Sequence, residues 1–219
     1  MGASRRAGVY IDGFNLYRRA LEQRPECRWL DVRALCELLL PEFDVVLVRY
    51  FTANIKFVEG EDPASPARQR AYLRALQTLP GVTLHFGTFR SDRRWMAVSP
   101  LVLDEDGAPR TVRVRKIEEK GSDVSLAAHL VCDAMSGLVD AVFLLSNDSD
   151  FVDALRLARE CAGAEIGLIS PTAAPARSLL ALEPDQVRHV RASALRAAQL
   201  PERIADEHGT IVRPKRWSA

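Results

Sequence analysis

Four aspartates stand out because of the residues that precede them. Asp12 closes the apolar run Val9-Tyr10-Ile11, and Gly13 behind it lets the backbone turn sharply. Asp148 and Asp150 follow an apolar run that ends at Leu145, in Ser146-Asn147-Asp148-Ser149-Asp150-Phe151. Asp123 opens a helical pattern after Glu118-Glu119-Lys120-Gly121-Ser122. A buried run fixes the position of the carboxylate at its end, so acids far apart in sequence can be gathered without freedom to separate. Like charges about 4 Å apart repel by roughly 4 kcal/mol at an effective dielectric of about 20. Such a cluster calls for a cation, and carboxylate oxygens suit Mg²⁺ or Mn²⁺.

Each acid also has a purely local use. Asp123, Asp148 and Ser149 are good helix N-caps, and Asp12 can close an Asx turn. Taken together the capping explanation weakens, because it gives no reason for acids to follow strand after strand. The histidines His85, His129, His189 and His208 lie outside these blocks, which counts against histidine acid/base chemistry. His129 falls within a helical pattern and reads as a packed residue. Cys27, Cys36, Cys132 and Cys161 form no CxxC pair and offer no zinc set. Three of them lie in helical segments, all four read as core residues, and a reducing cytoplasm is the expected home.

The elements that must position the acids follow from hydrophobic periodicity. Gly8–Asp12 reads as a buried strand, followed by a helix from about Asn15 to Glu22 and another capped by Asp31. Strands are expected over Asp44–Phe51 and Val82–Phe89, with an amphipathic helix over Ser65–Leu79 between them. Residues 90–116 hold Trp95, Pro100 and an Asp106-Gly107 turn between two β-rich runs, which predicts a hairpin projecting from the main sheet. A helix over Ser122–Met135, a strand Ala141–Leu145, a helix Ser149–Cys161 and a strand Glu165–Ile169 complete the alternation. From Arg191 onward the chain reads as helix then loop, with Gly209–Val212 as a short strand or clasp.

Apolar strands that alternate with helices imply an α/β fold with a mostly parallel sheet covered on both faces. In such sheets ligands bind outside the carboxyl ends of the strands near the point where strand order reverses, which is where Asp12, Asp148 and Asp150 are expected.

Length and charge bound the partners. The 219 residues, 47% hydrophobic and 27% charged, have the usage of one globular domain. The net charge of +1 gives no strong overall field for polyanions, so any grip on nucleic acid must be local. The one basic stretch runs from Arg90 to Lys116 and includes Arg93, Arg94, Arg110, Arg113 and Arg115. It serves equally well as a solvated hairpin surface or as a phosphate-contacting strip. The apolar run after Arg6 is too short for a signal peptide, and Met1-Gly2 lacks the Ser or Thr that a myristoylation start needs at position six. Nothing approaches the length of a membrane span.

Three blocks carry a family resemblance: Tyr10-Ile11-Asp12-Gly13-Phe14-Asn15-Leu16-Tyr17, Glu119-Lys120-Gly121-Ser122-Asp123-Val124, and Leu145-Ser146-Asn147-Asp148-Ser149-Asp150-Phe151. In composition, order and setting they resemble the NYN domain proteins of the LabA-like type, within the PIN-like nuclease superfamily, over roughly residues 7–171. The resemblance implies a Rossmann-like, three-layer α/β/α PIN-like fold. It implies a nuclease-type domain over about residues 1–180, the hairpin at about 90–116 being an insertion, with a C-terminal helix and tail over 181–219 packed upon it. It also implies a ribonuclease in which Asp12, Asp123, Asp148 and Asp150 hold Mg²⁺ or Mn²⁺ while Asn15 orients a carboxylate or water. Lys120, in the same block, either contacts the scissile phosphate or pairs with an acid. Arg113 and Arg115 would meet substrate phosphates. Glu118 and Glu119 read as solvated, Glu119 being the better outer neighbour of a metal.

Single-stranded or structured RNA is the expected partner, and a homodimer would extend a sparse basic surface. A dinucleotide-binding dehydrogenase is disfavoured, since Asp12-Gly13-Phe14-Asn15 puts a carboxylate where pyrophosphate would sit. A phosphatase with an Asp-x-Asp nucleophile pair fails at Phe14. A catalytically silent RNA-binding or scaffold module and a DNA nuclease are the remaining alternatives.

Overall fold

The computed structural model describes residues 4–57 and 62–218, so the Met1-Gly2 start lies outside the described residues. Seven strands form one sheet in the order β4-β3-β2-β1-β5-β6-β7. They are β1 Arg5–Asp12, β2 Phe43–Ala53, β3 Val82–Ala97, β4 Thr111–Lys120, β5 Ala141–Leu145, β6 Glu165–Ser170 and β7 Gln186–His189. All pairs are parallel except β3 with β4.

Strand alternation explains the two cores. Val9 and Ile11 of β1 face one layer, where α2 (Val32–Leu39) and α3 (Ser65–Gln77) pack around Trp29, Leu35 and Leu76. Tyr10 faces the other layer, where α4 (Ser122–Met135) and α5 (Val152–Ala162) pack through Leu126, Leu130 and Leu155. A strand buried on both faces must be apolar at every position, and β5 is buried throughout. The result is the three-layer α/β/α arrangement expected from the sequence, with a mostly parallel sheet.

From the central strand β1 the chain travels outward through β2 and β3 on one side, and the neighbouring β5 leads to β6 and β7 on the other. Strand order therefore reverses between β1 and β5. The carboxyl ends of these two strands form the crevice in which an open sheet binds ligands.

The hairpin has a longer root than expected. β3 pairs with β2 only over Val82–Gly87, and from Thr88 to Ala97 it pairs with β4 alone. The second half of β3 and all of β4 thus form a two-stranded arm that leaves the carboxyl edge of the sheet, with Asp106-Gly107 in the turn region at its tip.

After residue 180 the chain still contributes β7 to the sheet. It then forms α7 (Ala192–Ala197) and a separate hairpin of β8 (Arg203–Asp206) and β9 (Gly209–Val212). Ile211 and Trp217 tie this tail to the core beside Trp29 and Tyr72. The expected loop is therefore partly a strand pair, and the expected clasp is β9.

Two cysteines depart from the sequence reading. Cys27 and Cys36 are buried, whereas Cys132 and Cys161 are exposed. The last two lie on the outward sides of α4 and α5, whose opposite sides supply the core residues. Among the described residues no helix is long and apolar enough to cross a membrane.

Candidate active site

β1 delivers Asp12 to the crevice in register with Phe51 of β2. Asp12 is almost fully buried, 7% exposed, and its carboxylate caps the short helix α1 (Gly13–Leu16) by accepting the Asn15 N–H at 2.9 Å. The chain then continues through a π-helical turn, Tyr17–Leu21. Gly13 is needed here for closeness. A Cβ at that position would lie 2.7 Å from the Tyr50 ring and 2.8 Å from the Phe51 carbonyl oxygen. Gly13 itself has no left-handed backbone, so the sharp turn read from the sequence is a tight helix start instead.

The second oxygen of Asp12 accepts a hydrogen bond from the Ser146 hydroxyl at 3.0 Å. Ser146 follows β5, and its hydroxyl in turn accepts the Asp148 N–H at 3.1 Å. Asp148 caps the next turn by accepting the Asp150 N–H. Asn15 joins the same linkage, since its side-chain oxygen accepts the Asn147 N–H at 3.2 Å. The loops after β1 and β5 are thereby held together by the side chains of Asp12, Ser146 and Asn15.

α4 brings the remaining acid. Ser122 donates its hydroxyl to Glu119 at 2.7 Å, and its backbone N–H also points to that carboxylate. The Ser122 hydroxyl is 3.3 Å from Asp123. Glu119 can lie across the neighbouring strand because residue 87 is glycine: a Cβ there would fall 1.8 Å from the Glu119 oxygen.

Electrostatics shows that these groups sense one another. Burial is the main cause that raises the Asp12 pKa to about 6, with further upward pressure from the charges of Asp123 and Asp148, while the bonds from Asn15 and Ser146 act against it. Asp123 is raised by partial desolvation first, then by Glu119 and Asp148, and less by Asp150. The charges of Asp123 and Asp148 thus reach Asp12, and those of Asp148 and Asp150 reach Asp123. The structure adds Glu119, which the sequence suggested only as an outer neighbour. Side-chain direction on an edge strand decides its role, and a lone Glu-Glu pair in sequence does not disclose which member turns inward.

The basic candidates divide. Lys120 is exposed and lies 3.5 Å from Glu118, so it pairs with an acid. Arg113 and Arg115 lie out on the arm, away from the acids. His85 and His129, which belong to no motif, pack against Phe51 with ring centroids 4.2 Å apart. Burial first, then the neighbouring His129 and Arg49, lowers His85 to about 4, as befits a neutral packed imidazole.

The donor set can be tested against a divalent ion. Among the described residues no three His, Cys, Asp or Glu side chains stand together as a ready-made cage. Mg²⁺ is usually held by one or two carboxylates with several waters and substrate phosphates. Asp12 with a single neighbouring acid would leave most positions of the ion to water and phosphate, which fits an open site and not a closed structural one.

Comparison with known proteins gives the family. The chain is 31% identical to 6-hydroxy-3-succinoylpyridine 3-monooxygenase of Pseudomonas putida, in an alignment that covers 97% of this chain and 75% of that protein. Its fold is shared with a crystal structure of a Vibrio parahaemolyticus protein of unknown function, at a TM-score of 0.52 and 16% identity over 88% of this chain and 97% of that one. The profile of the NYN domain matches residues 6–187, and the chain belongs to the NYN domain family, with its PIN-like nuclease fold.

Proposed function

We propose that this protein is a metal-dependent ribonuclease. The observation that carries the reading is the buried Asp12 carboxylate at the β1/β5 switch point, inside the field of Asp123 and Asp148. A buried carboxylate surrounded by others is costly. Asp12 with Asp123 or Asp148 would hold Mg²⁺ or Mn²⁺, and the remaining acids, Asp150 among them, would act through the ion's waters. When bound, the ion supplies water activation and neutralises charge on a phosphodiester. Asn15 and Ser146 keep the two loops, and hence the acids, at fixed separation. Arg113 and Arg115 are assigned to phosphate contact, whereas Lys120 would reach phosphate only by leaving Glu118.

A second reading follows from the Pseudomonas putida relative, whose name is that of a monooxygenase acting on a substituted pyridine. Identity of 31% over nearly the whole chain gives that reading weight. Against a dinucleotide cofactor in the first crevice stands Asp12, whose charge would meet the pyrophosphate.

The test is cleavage of labelled single-stranded RNA and DNA with Mg²⁺, Mn²⁺ or EDTA, comparing the wild type with an Asp148→Asn/Asp150→Asn variant. Metal-dependent RNA cleavage that the variant loses supports the proposal. Absence of cleavage, with oxygen-dependent conversion of 6-hydroxy-3-succinoylpyridine in the presence of an added reductant, supports the second reading. Binding of RNA without cleavage would point to a silent module.

A further inference from the structure

The two faces of the β3–β4 arm differ in a way that composition hides. In an antiparallel pair, facing residues share a face and successive residues alternate. One face therefore carries Arg90 opposite Glu118, Asp92 opposite Lys116 and Arg94 opposite Val114. On this face Arg94 pairs with Asp92, and Lys116 and Lys120 both pair with Glu118, so that of its four cations only Arg90 lacks a carboxylate partner among the described residues.

The other face carries Phe89 opposite Glu119, Ser91 opposite Ile117, Arg93 opposite Arg115 and Trp95 opposite Arg113. Among the described residues, none of its three arginines has a carboxylate partner, and Arg115 bonds only to Ser91. Arg93, Arg113 and Arg115 are exposed, and Trp95 is 68% exposed. Two arginines opposite one another, with no acid to separate them, repel. An indole left in water is likewise unfavourable. Both costs are relieved by an anionic, flat-faced ligand.

This face is continuous with the acidic site. Its inner end is Glu119, bonded to Ser122 beside Asp123, and Phe89, whose ring meets Phe14 edge-on at 5.8 Å, two residues beyond Asp12. Rows on one face are about 6.8 Å apart, so the Trp95–Arg113 row lies about 20 Å along the arm from Glu119. Phosphate-binding cations spaced along a strip, with an aromatic platform, are how single strands are gripped without sequence readout.

We propose that this face of the arm is a track for single-stranded nucleic acid leading into the acidic site, with Trp95 stacking a base and Arg93, Arg113 and Arg115 holding phosphates. The proposal rests on the nuclease reading for the direction of the track, but binding to the arm can be measured without cleavage. A flat ribbon with one projecting indole suits unstacked bases, which a duplex does not offer.

The test uses the full-length protein in EDTA, titrated with a twelve-nucleotide oligouridine and with a blunt RNA duplex of equal length. Trp29 and Trp217 are buried, so tryptophan emission on binding reports Trp95. Oligouridine is expected to quench that emission, and Trp95→Ala to weaken binding about tenfold. Arg93→Ala/Arg115→Ala is expected to lower the slope of log affinity against log salt by about 1.4. Arg94→Ala, on the opposite face and paired with Asp92, is expected to change neither. Equal losses for Arg94→Ala and the double variant would overturn the proposal, as would unquenched emission at saturation or preference for the duplex. A Trp95→Ala variant that instead dissolves a dimer, with RNA affinity unchanged, would show that a second copy covers this face. Binding as expected in a protein that never cuts would retain the track and remove the nuclease reading.

Discussion

The Ser146 hydroxyl donates to Asp12 at 3.0 Å, although 134 residues separate the two in sequence. The bond joins the ends of two adjacent parallel strands and favours the charged form of a carboxylate that burial disfavours. Ser146 thus positions Asp12 and moderates its proton affinity.

Ser146→Ala removes one of the two hydrogen bonds that hold Asp12 ionised. A bond of this kind contributes about 1 kcal/mol, a little under one pKa unit. If Asp12 must be ionised for cleavage, the acid limb of the rate profile should move to higher pH by up to about one unit. Ser146→Thr, which keeps the hydroxyl, should restore it. An Ala variant slowed equally at every pH would show that Ser146 only holds the loops.

Asp12→Asn should abolish metal-dependent cleavage and yet stabilise the fold at neutral pH. The folded pKa of about 6 lies above the ordinary 3.8, because burial and the neighbouring acids disfavour the charge. The native state therefore holds this proton more tightly than the unfolded chain. Stability from this group is complete below about pH 4 and is lost as pH rises to about 6, a difference of about 3 kcal/mol at most. Thermal melts should show the variant gaining on the wild type at pH 7.5 and matching it near pH 4. Destabilisation at both values would make Asp12 a structural cap alone.

The strands and their terminal acids were legible in the sequence because burial on both faces leaves an unbroken apolar run, as in Ala141–Leu145, and the polar residues that end it stand out by contrast. The α/β class and strand-end placement of Asp12 and Asp148 follow from that pattern. Glu119 was less legible: its inward turn depends on the register of β4 against β3 and on the missing Cβ at Gly87. Cys132 and Cys161 were misread because a helix face is set by the neighbour it packs on, which composition does not name. The division of the arm into a face whose cations are mostly paired and one whose arginines are not lay equally beyond sequence, since it needs the register that sets Arg93 opposite Arg115.

A final relationship connects fold stability to the site. Arg49 of β2 makes two hydrogen bonds to Asp133 of α4, at 2.6 and 2.8 Å, and the Tyr10 hydroxyl of β1 adds a third at 3.0 Å. Asp133 is nearly buried and lies ten residues, or about 15 Å, along α4 from Asp123, so this pair anchors the helix that presents the acid. Arg49→Met should cost about 3–5 kcal/mol by leaving an unpaired charge inside. Arg49→Met/Asp133→Leu should cost less than the single variant, because removing both partners leaves no charge stranded. Urea unfolding of the two variants measures the difference. If the double variant were the less stable of the two, the pair would be contributing net attraction beyond its desolvation cost, and α4 would be held more by charge than by Leu126 and Leu130.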